Sequence, residues 1–266
     1  MLGKLLKYEW KTSGKIFLGL NLYMIVITIM GFIMLSLGLA DANEKVITFV
    51  TPVLSVCYVL SIFAISIAVC ILVLYRFFKS LYTDEGYLTH TLPIKPSTIL
   101  LSKFIYGFLC TFVTSIIIMF SILLIFIGAI PDMDLISSTQ EALLTITKEI
   151  GMSVSGFIML IIAYTILSIV SGLLCFYAAI SLGQLFKKHK LIGSFVWYGV
   201  FYIIGQIFST IYLIIMGFTS MDLTNEITAN TFVDRILSTS LVFAIISCII
   251  YWFISNYIIT KKLNLE

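Results

Sequence analysis

The chain has 266 residues, 61% hydrophobic and 11% charged, with a mean hydropathy of +1.13 and a formal net charge of +3. An average soluble domain is nearer a quarter charged, and a soluble fold of this length cannot hide so much apolar surface, because polar groups must cover its outside. Lipid is the solvent that suits it, and basic residues scattered among loops exclude a nucleic-acid binder.

The first segment, Met1–Lys15, sets Leu2, Leu5, Leu6 and Trp10 near one helical face and Lys4, Lys7 and Lys11 on others. That pattern predicts an amphipathic helix in the headgroup layer; the alternative is a charged topogenic tail. Six runs then contain no Asp, Glu, Lys or Arg: Ile16–Ala40, Val46–Tyr75, Phe104–Pro131, Gly151–Phe186, Leu191–Met221 and Ile236–Thr260. A bilayer core takes about 20 helical residues, so all six are predicted transmembrane helices of an all-α, single-domain chain, residues 1–266. As a helix, Gly151–Phe186 reaches roughly 54 Å, too short for two crossings and a turn, and so it forms one helix. Ala40-Asp41-Ala42 resembles a signal cleavage site, but the run before it is longer than a signal h-region of about 7–15 residues.

Thirteen Lys and Arg fall in Met1–Lys15, Arg76–Lys103, Lys187–Lys190 and Lys261–Glu266, against three (Lys45, Lys148, Arg235) in the opposite set of loops. Excess Lys and Arg marks the cytoplasmic side, which predicts both termini inside. Within Arg76–Lys103, Thr83 can cap a short helix with Asp84 and Glu85 in its first turn. Pro93 stops it, and Pro96 with Ser97 opens the next membrane helix. The result is a knob carrying Tyr87 and Leu88 beside two carboxylates, suited to another protein's groove; an ordinary loop with interfacial aromatics is the equal alternative. Outside, Ser138-Thr139-Gln140-Glu141 reads as a capping box opening an amphipathic stretch through Ala142, Leu143, Ile146 and Ile150.

Several chemistries have no residues to carry them. No GxxxxGK[ST] occurs, so the chain lacks a P-loop for ATP phosphates, and no HExxH or paired Cys motif predicts a metal. Cys57, Cys70, Cys110, Cys175 and Cys248 each sit in an apolar run and read as small hydrophobes. His90 and His189 lie in loops, leaving no intramembrane base for a buried Ser, and the chain is not expected to be an enzyme. Pumps driven by protons or sodium place carboxylates at mid-membrane, and the six runs hold none. Among their polar groups, Asn21, Tyr164, Tyr177 and Gln206 can line a translocation path or simply join helices. Gly193, Gly199 and Gly205 predict close helix approach.

Six helices, a Lys-rich lead-in and the segment TDEGYLTHTLPIKPSTILLSK, Thr83–Lys103, resemble bacterial ABC-2-type permeases. The layout covers the whole chain; the specific part is about twenty residues centred on Glu85-Gly86-Tyr87-Leu88 and Leu92-Pro93. The resemblance implies that the loop between helices two and three couples to an ATPase through Asp84, Glu85, Tyr87 and Leu88, supported by Phe78 and Tyr82. It also implies two permease chains, identical or homologous, and two ATPase subunits that hold the ATP and Mg, with no cofactor in this chain. Substrate would pass between the permeases in the cell membrane. Small members of this size are often linked to peptide export or self-immunity, which implies an antimicrobial or amphipathic peptide. The short last external segment departs from relatives with a large external domain. A scaffold or facilitator that works without nucleotide is the alternative function.

Overall fold

A computed structural model describes residues 2–37, 44–83, 85–86, 91, 94–129, 135–151, 153–186, 189–221 and 229–261. Seven helices account for nearly all of them: α1 (Leu2–Leu37), α2 (Glu44–Tyr82), α3 (Pro96–Ala129), α4 (Leu135–Ile150), α5 (Val154–Gly183), α6 (Lys190–Met221) and α7 (Ala229–Lys261). No strand occurs among the described residues. All except α4 are long and apolar enough to cross a membrane. Their outer faces carry large apolar side chains such as Leu18, Leu22, Phe63, Met159 and Phe195 in the open, a surface that only hydrocarbon solvates without cost.

The helices outrun the charge-free runs. The lead-in and the first span are one continuous helix of 36 residues, and α2 continues through Arg76 to Tyr82. α3 starts at Pro96, where proline's missing N–H costs nothing, with Thr98 N–H donating to the Lys95 carbonyl at 2.9 Å. Gly151–Phe186 indeed yields a single long helix, capped by Ser153, whose Oγ accepts from Gly156 N–H. By contrast α4 begins at Leu135, so Ser138 lies inside it and the expected capping box does not open it. It ends at Gly151, whose φ of 74° is open to glycine with little strain.

The chain divides into two units. The first comprises Met1–Phe77 and Leu101–Thr139, the second Phe78–Leu100 and Gln140–Glu266. In the first, α1 buries a stripe of Glu9, Ser13, Phe17, Asn21, Met24 and Thr28, spaced three and four residues apart as one helix face requires. Three rungs bind it to α3: Ser13–Tyr106 at 2.7 Å, Asn21–Thr114 at 3.1 Å and Thr28–Ser121 at 2.6 Å, each 93 residues apart. A constant difference means that the two helices run parallel. α2 runs the other way, meeting α1 at Arg76–Glu9 and the Thr28 rung through Tyr58–Ser121.

In the second unit α5 packs on both α6 and α7. Phe176 stacks on Tyr198 with centroids 4.6 Å apart, and a Cβ on Gly183 would lie 2.5 Å from Ser194 N, so α5 and α6 are antiparallel. Tyr164 donates to the Leu237 carbonyl at 2.7 Å and bonds the Ser240 hydroxyl, while Leu182 shares a groove with Ile258; α5 and α7 are therefore parallel. Of the three glycines expected at close contacts, Gly193 meets the Phe186 ring and the Gly183 carbonyl, whereas Gly199 and Gly205 face open space.

Candidate functional sites

The segment between α2 and α3 begins on the membrane helix itself. Phe78 and Tyr82, one turn apart on α2, lie with ring centroids 6.3 Å apart. The Tyr82 hydroxyl donates to Ser181 Oγ on α5 at 2.7 Å, and Ser181 is fully buried. The Thr83 hydroxyl donates back to the Lys79 carbonyl at 2.5 Å at the end of α2, and Glu85 and Gly86 just beyond it are helical. The chain turns there, with Gly86 N–H donating to the Thr83 carbonyl at 2.7 Å. A Cβ on Gly86 would fall 2.5 Å from the Leu81 carbonyl oxygen, so the turn closes only over glycine. Glu85 reaches Lys79 at 3.1 Å, a half-exposed pair whose contribution is small. Asp84, Tyr87 and Leu88 lie outside the described residues.

Three helices of the first unit bring charges together out of water. Glu9 of α1 is 1% exposed, Arg76 of α2 is 4% and Lys103 of α3 is 6%. Arg76 donates through Nε and Nη2 to Glu9 Oε2 at 3.3 and 3.2 Å, and Lys103 Nζ donates to Glu9 Oε1. Both carboxylate oxygens are therefore engaged, as a buried charge demands. Beside the triad, Trp10 packs edge-on against Tyr106 at 5.8 Å and Phe17 at 5.7 Å. Sequence reasoning treated Glu9 as part of a surface lead-in and missed the triad. The signal was present: a lone carboxylate in a lysine-rich segment, with Arg76 and Lys103 flanking the second and third charge-free runs.

The four polar residues offered for a path separate between the units. Asn21 is buried in the first; its amide donates to the Phe17 carbonyl and its oxygen accepts from Thr114, which uses it in helix joining. In the second, Tyr164 ties α5 to α7, and Tyr177 is 1% exposed. Gln206 differs. Its side chain is exposed on α6 and lines a groove of about 290 Å³ with Ser171, Cys175, Tyr202, Ser247 and Tyr251. Gly172 and Gly205 line the same groove with nothing within 4 Å of where a Cβ would stand.

No group of three or more His, Cys, Asp or Glu able to hold a metal occurs among the described residues, and the five cysteines are free thiols. No known protein family, curated protein or solved structure matches this chain.

Proposed function

We propose that this chain is the membrane-spanning permease subunit of an ATP-driven exporter, with both termini in the cytoplasm. It carries no ATPase motif; two copies of a separate ATPase, holding the ATP and Mg, dock on the segment from Phe78 to Leu88. A second permease chain, identical or homologous, completes the path across the cell membrane. The lysine-rich start of α1 lies at the cytoplasmic headgroups. The substrate is an amphipathic or antimicrobial peptide, and Gln206 in its aromatic groove is the polar group best placed to meet it.

One observation carries this reading. The end of α2 is tied by Tyr82 to the buried Ser181 of α5, and a turn that only glycine closes follows at once. A displacement applied at Glu85 or Gly86 is thus delivered to a membrane helix instead of being absorbed by a slack loop. Coupling to an external motor needs such a link. The asymmetry of thirteen basic residues against three supports the orientation.

The test is extraction from native membranes in mild detergent, with mass spectrometry of what co-purifies. A soluble P-loop ATPase near one-to-one stoichiometry is expected, and Tyr87→Asp or Leu88→Asp should release it while the permease stays folded. A homo-oligomer with no ATPase, repeated after crosslinking, would sink the proposal in favour of a scaffold or facilitator.

A further inference from the structure

Polar side chains within the spanning helices are mostly matched: Asn21 with Thr114, Thr28 with Ser121, and Tyr164 with Ser240. Gln206 is not. Its backbone carbonyl accepts from Ser209 and Thr210, but its exposed side-chain amide makes no hydrogen bond among the described residues. It lies sixteen residues from Lys190 and sixteen from Asp222, the nearest charged residues in either direction. That is about 24 Å of helix from Lys190, which sets the amide near the middle of a hydrocarbon core about 30 Å thick. Acyl chains alone would leave its N–H and C=O groups unpaired, a costly state far from water.

The helix around it is open and low. From Phe195 to Ile215 no residue of α6 is buried. Tyr198, Tyr202, Gly205 and Ser209 follow one another at spacings of four, three and four residues, the seam along which two helices pack, and Gln206 adjoins it. Tyr198 and Tyr202 are 37% and 64% exposed, and nothing lies within 4 Å of a Cβ built on Gly205. Small residues one turn apart, as Gly205 and Ser209 are, let a second backbone come close in lipid. A second copy also answers the amide. Two chains inserted the same way and related by a two-fold axis along the membrane normal hold Gln206 at one depth. An amide is both donor and acceptor, so it is its own complement, whereas any other partner must bring a polar group to that same level.

We propose that α6 is a self-association face, on which Gln206 of one copy exchanges hydrogen bonds with Gln206 of a second. This deepens the export reading and rests on it in one respect, that a second permease chain is present; here that chain is identical, and substrate entering the Gln206 groove displaces the paired amides. The full chain, purified without ATPase and labelled with donor or acceptor fluorophores, is reconstituted together in phosphatidylcholine vesicles, and energy transfer is followed as added lipid dilutes it. The native chain should associate, and Gln206→Leu should weaken association about tenfold, the effect of one or two interhelical hydrogen bonds in a membrane. Gly205→Leu, for which the groove has room in the single chain, should weaken it too, with helix content by circular dichroism unchanged. With the native cysteines replaced, Gln206→Cys should self-crosslink under mild oxidation, and Ile204→Cys, on the opposite side of α6, should not. A native chain that stays monomeric, Gln206→Leu associating as tightly as the native chain, or crosslinking at Ile204→Cys instead, would overturn the proposal. None of these readouts involves the ATPase. ATPase bound to a chain that does not self-associate would leave the export reading standing, with a non-identical second permease.

Discussion

At Glu9 a single carboxylate serves two cations on two other helices, and each of the three side chains is nearly sealed from solvent. Burying three charges is expensive, and such groups seldom stabilise more than an apolar replacement would. Removing Glu9 is another matter, because it is the carboxylate that both cations share. Glu9→Gln leaves Arg76 and Lys103 facing each other without their shared anion, and should cost about 3 kcal/mol. Thermal unfolding in detergent reads this directly. The double variant Glu9→Gln/Lys103→Met should recover part of the loss; a double variant no better than the single would show that the three do not act as one group. Tyr82→Phe is milder. It removes one hydrogen bond to Ser181, worth about 1 kcal/mol, and the permease reading expects the ATPase still bound while transport falls. Pull-down and vesicle export measured together separate the two effects.

Between helices, glycine has opposite meanings at different places. Gly183 sits where α5 and α6 touch, and a methyl there strikes the backbone of Ser194, which cannot step aside. Gly199 has nothing within 4 Å. Gly183→Ala should therefore destabilise by about 1–3 kcal/mol, and Gly199→Ala should stabilise by up to about 1 kcal/mol, because alanine orders a helix at less entropic cost. Opposite shifts in melting temperature are the expected result, and shifts of the same sign would contradict the contact geometry. These assignments were not legible in the sequence. Gly193, Gly199 and Gly205 fall in one apolar run and look alike; only the crossing of α5 distinguishes the first. The rungs were hidden for the same reason, since nothing local ties Asn21 to Thr114. What could be read were the spans themselves, because hydrocarbon imposes its length on each run separately. Helix ends were read less well: α1 and α2 run on through charged residues, among them Glu9 and Arg76, which pair with each other.

For the molecule as a whole, the prediction at stake is orientation. With the native cysteines replaced, Lys95→Cys should escape a membrane-impermeant maleimide in intact cells, and Lys148→Cys should react. Both positions are exposed in the chain. The reverse pattern would put the segment between α2 and α3 outside, and the coupling role would fall with it. The triad and the three rungs extend from Glu9 to Thr28, roughly 28 Å of helix, close to a hydrocarbon thickness of about 30 Å. Each interhelical bond is worth only about 0.6 kcal/mol, but together they fix the rotation of α1 against α3 at four levels. One extra residue anywhere between two rungs turns the remainder of α1 by about 100°, so the upper and lower rungs can no longer face α3 together. Lipid-facing positions in the same interval, Leu18, Leu22, Tyr23 and Val26 among them, should accept most apolar replacements. Mutational scanning of α1 should accordingly find a stretch that tolerates a change of residue but not a change of residue count, with single insertions and deletions lost from Glu9 through Thr28 even where every substitution survives.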